Sequence, residues 1–398
     1  MSLQGGRRLK VLHIIDTLGM GGVETWLMEL LRFWRKNPMD APQIDILSAS
    51  GNAGLFDEEA RGLGANIIYL RYSRSDLLSF IPPFRRLLQH ENYNAIHDHQ
   101  WYTSGWHFLM GSGLLPPVRI THVHNPSFEL GNLPYFRSQI AAIGKQLVTL
   151  YSTHITGTSR QLITEFGFDA PQFRHIPKLA CYCGFSPQRF LGDVVKAKAA
   201  LCKEFNWSAD SKIVLFAGRM DQSADFGHCG NHKNSAFGVD VAIESARRET
   251  RLRAIFAGAP SAASSVLNDR IEAAGLGDRI RLVGVRQEIE YLMLGSDVLL
   301  FPSRGEGLGM VAVEAQSSGL PVLVSDTVPH ECVVIPELVH FKPLSAGITS
   351  WADDLLRLID LPRNAIEANR RVANSVFSIA SSAKALTELY RSAAKVNG

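Results

Sequence analysis

Cysteine is scarce in this chain of 398 residues. Cys181, Cys183, Cys202, Cys229 and Cys332 are odd in number and scattered. That pattern excludes a disulfide framework and fits reduced thiols in a cytoplasm. Cys181 and Cys183 have neither a second cysteine pair nor a histidine at metal spacing, so they read as structural. Long apolar runs are missing too: none reaches the about 18–20 residues of a spanning helix. Between the basic N-terminus and Asp16 stands only Val-Leu-His-Ile-Ile, too short for the apolar region of a signal peptide. Charge of one sign is also lacking, with 41 Lys and Arg against 38 Asp and Glu and a net charge of +3. There is no basic, aromatic stripe of the kind that binds nucleic acid. A Walker loop and a Gly-x-Ser-x-Gly elbow are absent, as is an Asp-x-Asp pair at a strand end that would suggest Mg²⁺. The expectation is a soluble, intracellular protein too long for a single core.

What is present is a rhythm. Short apolar runs alternate with helical patterns through residues 1–190: LKVLHII, QIDILS, NIIYL, NAIHDH, VRITHVH and THITG read as strands. The rhythm restarts with KIVLFAG, RAIFAG, IRLVG, DVLLFPS and LPVLVSD, and from about residue 347 the pattern is helical. Near-continuous apolar strands between helices imply parallel sheets covered on both faces. The expected fold class is α/β, with two doubly wound, Rossmann-like domains at 1–190 and 191–378 and a helix at 379–398 returning to the first. The first domain carries 18 Lys and Arg against 14 Asp and Glu, a small excess that a solvated surface explains.

Four constellations could carry chemistry. Gly19-Met-Gly21-Gly22-Val-Glu24 follows the first strand and opens a helix, where glycines admit a ligand and free amides attract anionic oxygen. Glu24 stands where a dinucleotide fingerprint needs glycine, so NAD is a weak reading and a phosphate or sugar a better one. The stretch from Pro302 to Ala315 contains Gly305, Gly307 and Gly309, with Glu306 in the loop and Glu314 in the following helix. Amides there suit phosphates and carboxylates suit hydroxyls, which together describe a nucleotide sugar; the bland alternative is an acid complementing a helix dipole. Arg219 closes a strand, and Lys233 follows 14 residues later; two cations at a sheet edge can neutralise a leaving diphosphate. Alone, Lys233 reads as a surface lysine. Finally, His97 and His99, with His122 and His124, pair on strand faces, so four imidazoles could converge. Zinc is the minor reading of that set and core histidines the major one.

These residues bring the chain close to a known family. It resembles the retaining family-4 glycosyltransferases of the GT-B fold, and in particular their exopolysaccharide and capsule branch. The resemblance rests on VLHIIDTLGMGGVETWLMELL, AIHDH, VRITHVHN, HIPKLACYCGFSPQRF, GRM…HKN and the long Glu-x7-Glu block ending in GLPVLVSD. It implies two domains facing a central cleft, acceptor-side and donor-side, and transfer of a hexose-type, UDP-linked sugar to a glycan or lipid-linked saccharide. By the same resemblance Arg219 and Lys233 hold the diphosphate, Glu306 the donor sugar and Glu314 the ribose. Leu308, Gly309, Met310 and Val311 offer amides, Gly21 and Gly22 close over the phosphates, Arg286 lies by the base, and His124 lies near the reacting sugar. Anomeric configuration is retained by front-face attack, the leaving phosphate oxygen taking the acceptor proton. That agrees with the lack of a paired-carboxylate nucleophile and acid. No metal or other cofactor is expected, and no nucleic acid partner. An epimerase or hydrolase of the same fold, or a non-catalytic binding module, are the alternatives.

A cytoplasmic location admits peripheral membrane contact through two helices. One carries Trp26, Trp34, Arg32, Arg35 and Lys36, the other Phe80, Ile81, Phe84, Arg85 and Arg86. The competing reading puts the aromatics in the core and the basic residues in water.

Overall fold

The computed structural model describes residues 8–392 except 74, 127–134, 224, 226, 227, 229 and 230. Cys229 and the end of the helix expected at 379–398 lie outside the described residues. The chain forms two compact units, one made of Met1–Phe185 with Ile379–Gly398 and the other of Ser186–Ser378.

The first unit runs β1 (Lys10–Ile15), α1 (Gly22–Lys36), β2 (Gln43–Ser48), α2 (Asp57–Gly62), β3 (Asn66–Tyr69), α3 (Leu77–Glu91) and β4 (Ala95–Asp98). It continues with α4 (Thr103–Met110), β5 (Val118–Val123), α5 (Tyr135–Tyr151), β6 (His154–Gly157), α6 (Arg160–Glu165) and β7 (Lys178–Ala180). Its seven strands lie in the order β3-β2-β1-β4-β5-β6-β7, and every pairing is parallel. Val11, Leu12, Ile14 and Ile15 in β1 are all buried, as a central strand covered on both faces requires. In α1 Trp26, Leu27, Leu30, Leu31 and Trp34 form one buried stripe at helical spacing.

The second unit opens with α7 (Val194–Glu204) and continues through β8 (Lys212–Ala217), α8 (Ser235–Arg248), β9 (Leu252–Ala257), α9 (Ala263–Ala273) and β10 (Ile280–Gly284). Then come α10 (Ile289–Gly295), β11 (Val298–Phe301), α11 (Met310–Ser317), β12 (Val322–Ser325), β13 (Val339–Lys342), α12 (Gly347–Leu358) and α13 (Ala365–Ala373). The strand order is β10-β9-β8-β11-β12-β13, again parallel throughout. Gly238 lets α8 lie close on the sheet, since a Cβ there would meet the rings of Phe216 and Phe256 at 3.3 Å. The helix α14 (Ile379–Tyr390) belongs to the first unit, where Trp26 of α1 donates to Ser382 at 2.9 Å.

The aromatics of the two helices lie in the core, as the competing reading has it. Trp26 and Trp34 are 2% and 5% exposed, and Phe80 and Phe84 are wholly buried. Phe80 and Phe84 stack at 5.0 Å in a core with Leu12, Ile14 and Phe108. Burial of such rings is worth about 1.5–3 kcal/mol each, which decides their orientation. Arg85 is turned inward, donating to the carbonyls of Met110 and Ser112. Among the described residues no helix is long and apolar enough to cross a membrane.

One side chain ties the second unit together. Arg363 donates to the carbonyls of Met293 (3.1 Å), Leu294 (3.0 Å), Ser318 (2.8 Å) and Gly319 (3.3 Å), and to that of Ser296. Burial pushes its guanidinium down to about 10. Removing it strands the carbonyls that end α10 and α11, each a polar group costing about 1–3 kcal/mol when left unpaired. Arg363→Ala should therefore destabilise the protein by at least about 3 kcal/mol, with Arg363→Lys recovering only part. Urea midpoints of the two variants are the check, and an unchanged midpoint for Arg363→Ala would contradict this role.

Candidate functional site

In a parallel sheet every strand delivers its following loop to the same edge. The loops diverge where strand order reverses, and ligands of open α/β sheets lie there. The second unit reverses between β8 and β11. Arg219 and Lys233 come from the segment after β8, Glu306 from the loop after β11 and Arg286 from the loop after β10.

Lys233 and Glu306 meet. The ammonium Nζ lies 2.6 Å from Glu306 Oε1, and the hydroxyl of Ser303 donates to that same oxygen at 2.6 Å. The lysine stem lies over Gly218, where a Cβ would stand 3.4 Å from it, and its head is 5.7 Å from the centre of the Phe301 ring. Its backbone is fixed by Asp221, which is 3% exposed. The Asp221 carboxylate accepts the amides of Lys233 (2.9 Å) and Ser235 (2.6 Å), and the Ser235 hydroxyl at 3.1 Å. Asp221 and Ser303 were not foreseen from the sequence; an acid two residues after Arg219 was the signal for the first.

The glycine-rich loop is pinned as firmly. Arg304 N–H donates to the His232 carbonyl at 2.8 Å, and Thr327 holds the Ser303 carbonyl at 2.7 Å. Gly309 caps α11 with φ of +90°, and a Cβ there would meet Val328 at 2.7 Å, so glycine is required. No side chain caps the first turn of α11, where Met310 and Val311 stand half-buried behind buried Leu308. Glu314 lies on that helix, half-buried. Arg219 is exposed, and nothing among the described residues pairs with it. Arg286 is already engaged, at 2.7 Å from Glu204 and 3.6 Å from Glu288.

The first unit reverses between β1 and β4. The loop after β1 presents Gly21 and Gly22, both exposed, ahead of α1. Burial pushes the Glu24 carboxyl up, its own amide donates to it, and Asp16 adds repulsion. Beneath this loop the four expected histidines do converge, joined by His13 of β1 and Tyr390 of α14. The contacts form a chain. His124 Nε2 meets His99 Nδ1 at 2.7 Å, and His99 Nε2 meets His13 Nδ1 at 3.0 Å. His13 Nε2 meets the Tyr390 hydroxyl at 3.2 Å, which meets His97 Nδ1 at 2.9 Å; His97 Nε2 meets His122 Nδ1 at 2.8 Å. Trp26 sets its edge against His97, His99 and His122. The outer nitrogens of the chain, His122 Nε2 and His124 Nδ1, find no partner among the described residues. All five imidazoles are buried, His124 being 7% exposed.

Both units match known protein families. Residues 20–178 match the Glycosyltransferase Family 4 domain, and residues 229–374 match the Glycosyl transferases group 1 domain. The chain is 27% identical over 354 residues to a protein named as the glycosyltransferase EpsF of Bacillus subtilis (strain 168), 87% of each being covered. It is 25% identical to the capsular polysaccharide biosynthesis glycosyltransferase CapH of Staphylococcus aureus, covering 96% of this chain and 99% of CapH. The crystal structure of Anabaena Alr3699/HepE in complex with UDP and glucose superposes with a TM-score of 0.73 at 16% identity, over 97% of this chain and all of that one.

The chain belongs to the family-4 glycosyltransferases.

Its two parallel units are those of the GT-B fold. In this glycosyltransferase the segment after β8 and the Glu-x7-Glu loop meet through Lys233 and Glu306. Glu314 lies two turns of sequence beyond on α11, and Arg286 stands in a pair of carboxylates two strands away.

The histidine chain has a measurable consequence. Burial pushes His13 and His124 down to about 3. Burial, reinforced by neighbouring imidazoles, holds His97, His99 and His122 well below the ordinary value of 6.5. The unfolded chain therefore binds more protons than the folded one below about pH 6.5. The stability involved is complete above that pH and lost as pH falls. Each imidazole contributes a slope approaching about 1.4 kcal/mol per pH unit. The urea midpoint should fall steeply between about pH 6.5 and pH 5, and more gently in His13→Phe. A midpoint independent of pH in that window would show that the folded cluster accepts protons.

Proposed function

We propose that this glycosyltransferase moves a hexose-type sugar from a UDP-linked donor to a glycan or lipid-linked saccharide in cell-surface polysaccharide synthesis, with retention of anomeric configuration. The observation that carries the reading is the Lys233–Glu306 ion pair at the strand-order reversal of the second unit, with Ser303 on the same carboxylate oxygen. Without donor, each charge neutralises the other. A diphosphate competes for the ammonium while sugar hydroxyls compete for the carboxylate, so one ligand exchanges both halves of the pair. Support for the donor class comes from HepE, whose structure is described in complex with UDP and glucose, and for the pathway from CapH.

The chemistry then divides by charge. As the bond between sugar and phosphate breaks, negative charge grows on the leaving diphosphate. Lys233, held by its stem over Gly218, and exposed Arg219 face that growing charge, a transition-state interaction rather than uniform binding. The first-turn amides at Met310 and Val311 add fixed dipoles aimed at phosphate oxygen. Glu306 accepts from the donor sugar and Glu314 from the ribose, acids being good acceptors for hydroxyls. The leaving phosphate oxygen takes the acceptor proton on the face it vacates, so no separate base is needed. Cationic side chains supply the charge neutralisation, and we assign no metal to this step. Acceptor and first-unit contacts fall to Gly21 and Gly22; His124 is buried, with its Nε2 on His99. Arg286 reaches the base only by leaving Glu204.

Alanine at Lys233 or Arg219 should each lower kcat about 10²–10³-fold, the usual effect of removing one transition-state donor. Glu306→Ala should abolish transfer while UDP affinity, followed by titration calorimetry, stays within about threefold, because that carboxylate serves the sugar. Full turnover in all three variants with a UDP-sugar and saccharide acceptor would overturn the assignment.

A further inference from the structure

The histidine chain of the first unit asks for something the protein alone does not provide. A neutral imidazole carries one mobile proton and so does a phenol. The six groups from His124 through Tyr390 to His122 therefore hold six protons, and the five contacts between them take five. The sixth stands either at an end of the chain or on Tyr390, whose oxygen can accept from both His13 and His97 while keeping its own proton. In either arrangement at least one of His122 Nε2 and His124 Nδ1 is a lone pair without a donor, and neither finds a partner among the described residues. The two ends are close in space: the rings of His122 and His124 have centroids 3.8 Å apart. One nitrogen from each of His99, His122 and His124 lies within 4.8 Å of the others.

We propose that the first unit binds a first-row divalent cation of the zinc class on His122, His124 and His99. Neutral imidazole is the ligating form, and burial keeps these rings in it. The cluster contains no carboxylate or thiolate, which excludes calcium and magnesium and favours zinc, cobalt, nickel or copper. Asp98, the nearest acid in sequence, is occupied by His107 at 2.7 Å. Bonds to a tetrahedral ion run to about 2.0–2.1 Å, so the three nitrogens, within 4.8 Å of one another, draw together to make them. His13, His97 and Tyr390 then act behind the ligands, fixing ring orientation as outer-shell partners do.

The proton count makes the site unusual. A cation on both ends of the chain needs a lone pair at each, so all five N–H groups turn towards Tyr390; its oxygen accepts from His13 and His97, and the sixth proton leaves the phenol for solvent, making Tyr390 the phenolate. The count is the same if His99 takes the cation through Nδ1, because the five groups from His99 to His122 then share four bonds. The site gains two charges and gives up one, which lowers the cost of burying the ion. Tyr390 is the link on which this depends. Without its hydroxyl the chain is cut: His13 Nε2 and His97 Nδ1 keep their protons, and there is no phenol proton to leave.

The experiment is a cobalt titration of untagged, chelator-stripped protein, followed by visible absorption and by calorimetry in buffers of different ionisation enthalpy. Expected are one Co²⁺ per chain with the intense visible band of a four-coordinate ion, displacement by Zn²⁺, and release of about one proton. His122→Asn and His124→Asn should weaken binding at least about 100-fold. Tyr390→Phe should keep the band, and its proton release should fall to near zero. No band in the wild type, an undiminished band in both histidine variants, or proton release unaltered in Tyr390→Phe would each overturn the proposal. If a histidine variant fails to give a native melting transition, the tyrosine variant alone decides, since it keeps every ligand.

Discussion

A reversal of strand order between parallel neighbours is the constraint on which both sites depend. β8 and β11 pair directly, as do β1 and β4, though helices and two further strands separate them in the chain. Crossovers run outward in opposite directions from each such pair, so the loops after the two strands part and leave room above the sheet edge. Lys233 and Glu306, 73 residues apart, share a hydrogen bond because of this. In the first unit the same geometry places His13 and His97 as register partners, with His99 and His122 one step further along. A different strand order would scatter these groups even if every helix and strand formed.

The two sites use that position in opposite electrostatic ways. The second unit keeps charges and satisfies them: Lys233 on Glu306, Asp221 under two amides, Arg286 between two carboxylates. Lys233, Glu306 and Arg286 remain partly open to solvent, where an ion pair costs little and exchanges readily with a charged ligand. The first unit buries five titratable rings and keeps them neutral, since an isolated buried charge costs far more than a shared N–H. Exchange of a ligand is natural at the former site. At the latter, any change of charge must be carried by the whole chain of contacts.

Much of this was legible in the sequence. The α/β rhythm was readable because β-branched strands and helical stripes have different periods. The Glu-x7-Glu loop was readable because glycines, a strand end and a helix start fall within one short stretch. Four histidines could be assigned a common face from the two-residue period of their strands. Tyr390 could not be added to them, because the signal is tertiary: nothing in its helix says that α14 packs on α1 rather than elsewhere. The aromatic helices left two readings open for a related reason. Periodicity gives Trp26, Trp34, Phe80 and Phe84 a common side, but which side meets the sheet depends on the volume left beneath, and large rings fill it. The pairing of Arg286 with Glu204, 82 residues earlier, is tertiary as well and had no signal in the sequence.

The first unit is assembled from two distant pieces of chain, and this has a consequence for how it forms. Its sheet is complete by Ala180, yet the face of α1 that covers the histidines is secured by Ser382, which bonds both Trp26 and the Tyr182 carbonyl. Tyr390 then joins His13 to His97, contacts spanning 377 and 293 residues. Contacts of such separation require closing a very long loop, so they come late in folding. Without α14 the histidine cluster would lack the Tyr390 link between His13 and His97. The second unit, contiguous from Ser186 to Ser378, meets no such delay. The helix that closes the first unit thus carries the tyrosine hydroxyl that makes its buried chain continuous. That coupling gives a physical reason for a helix so far along the chain to return to the first sheet.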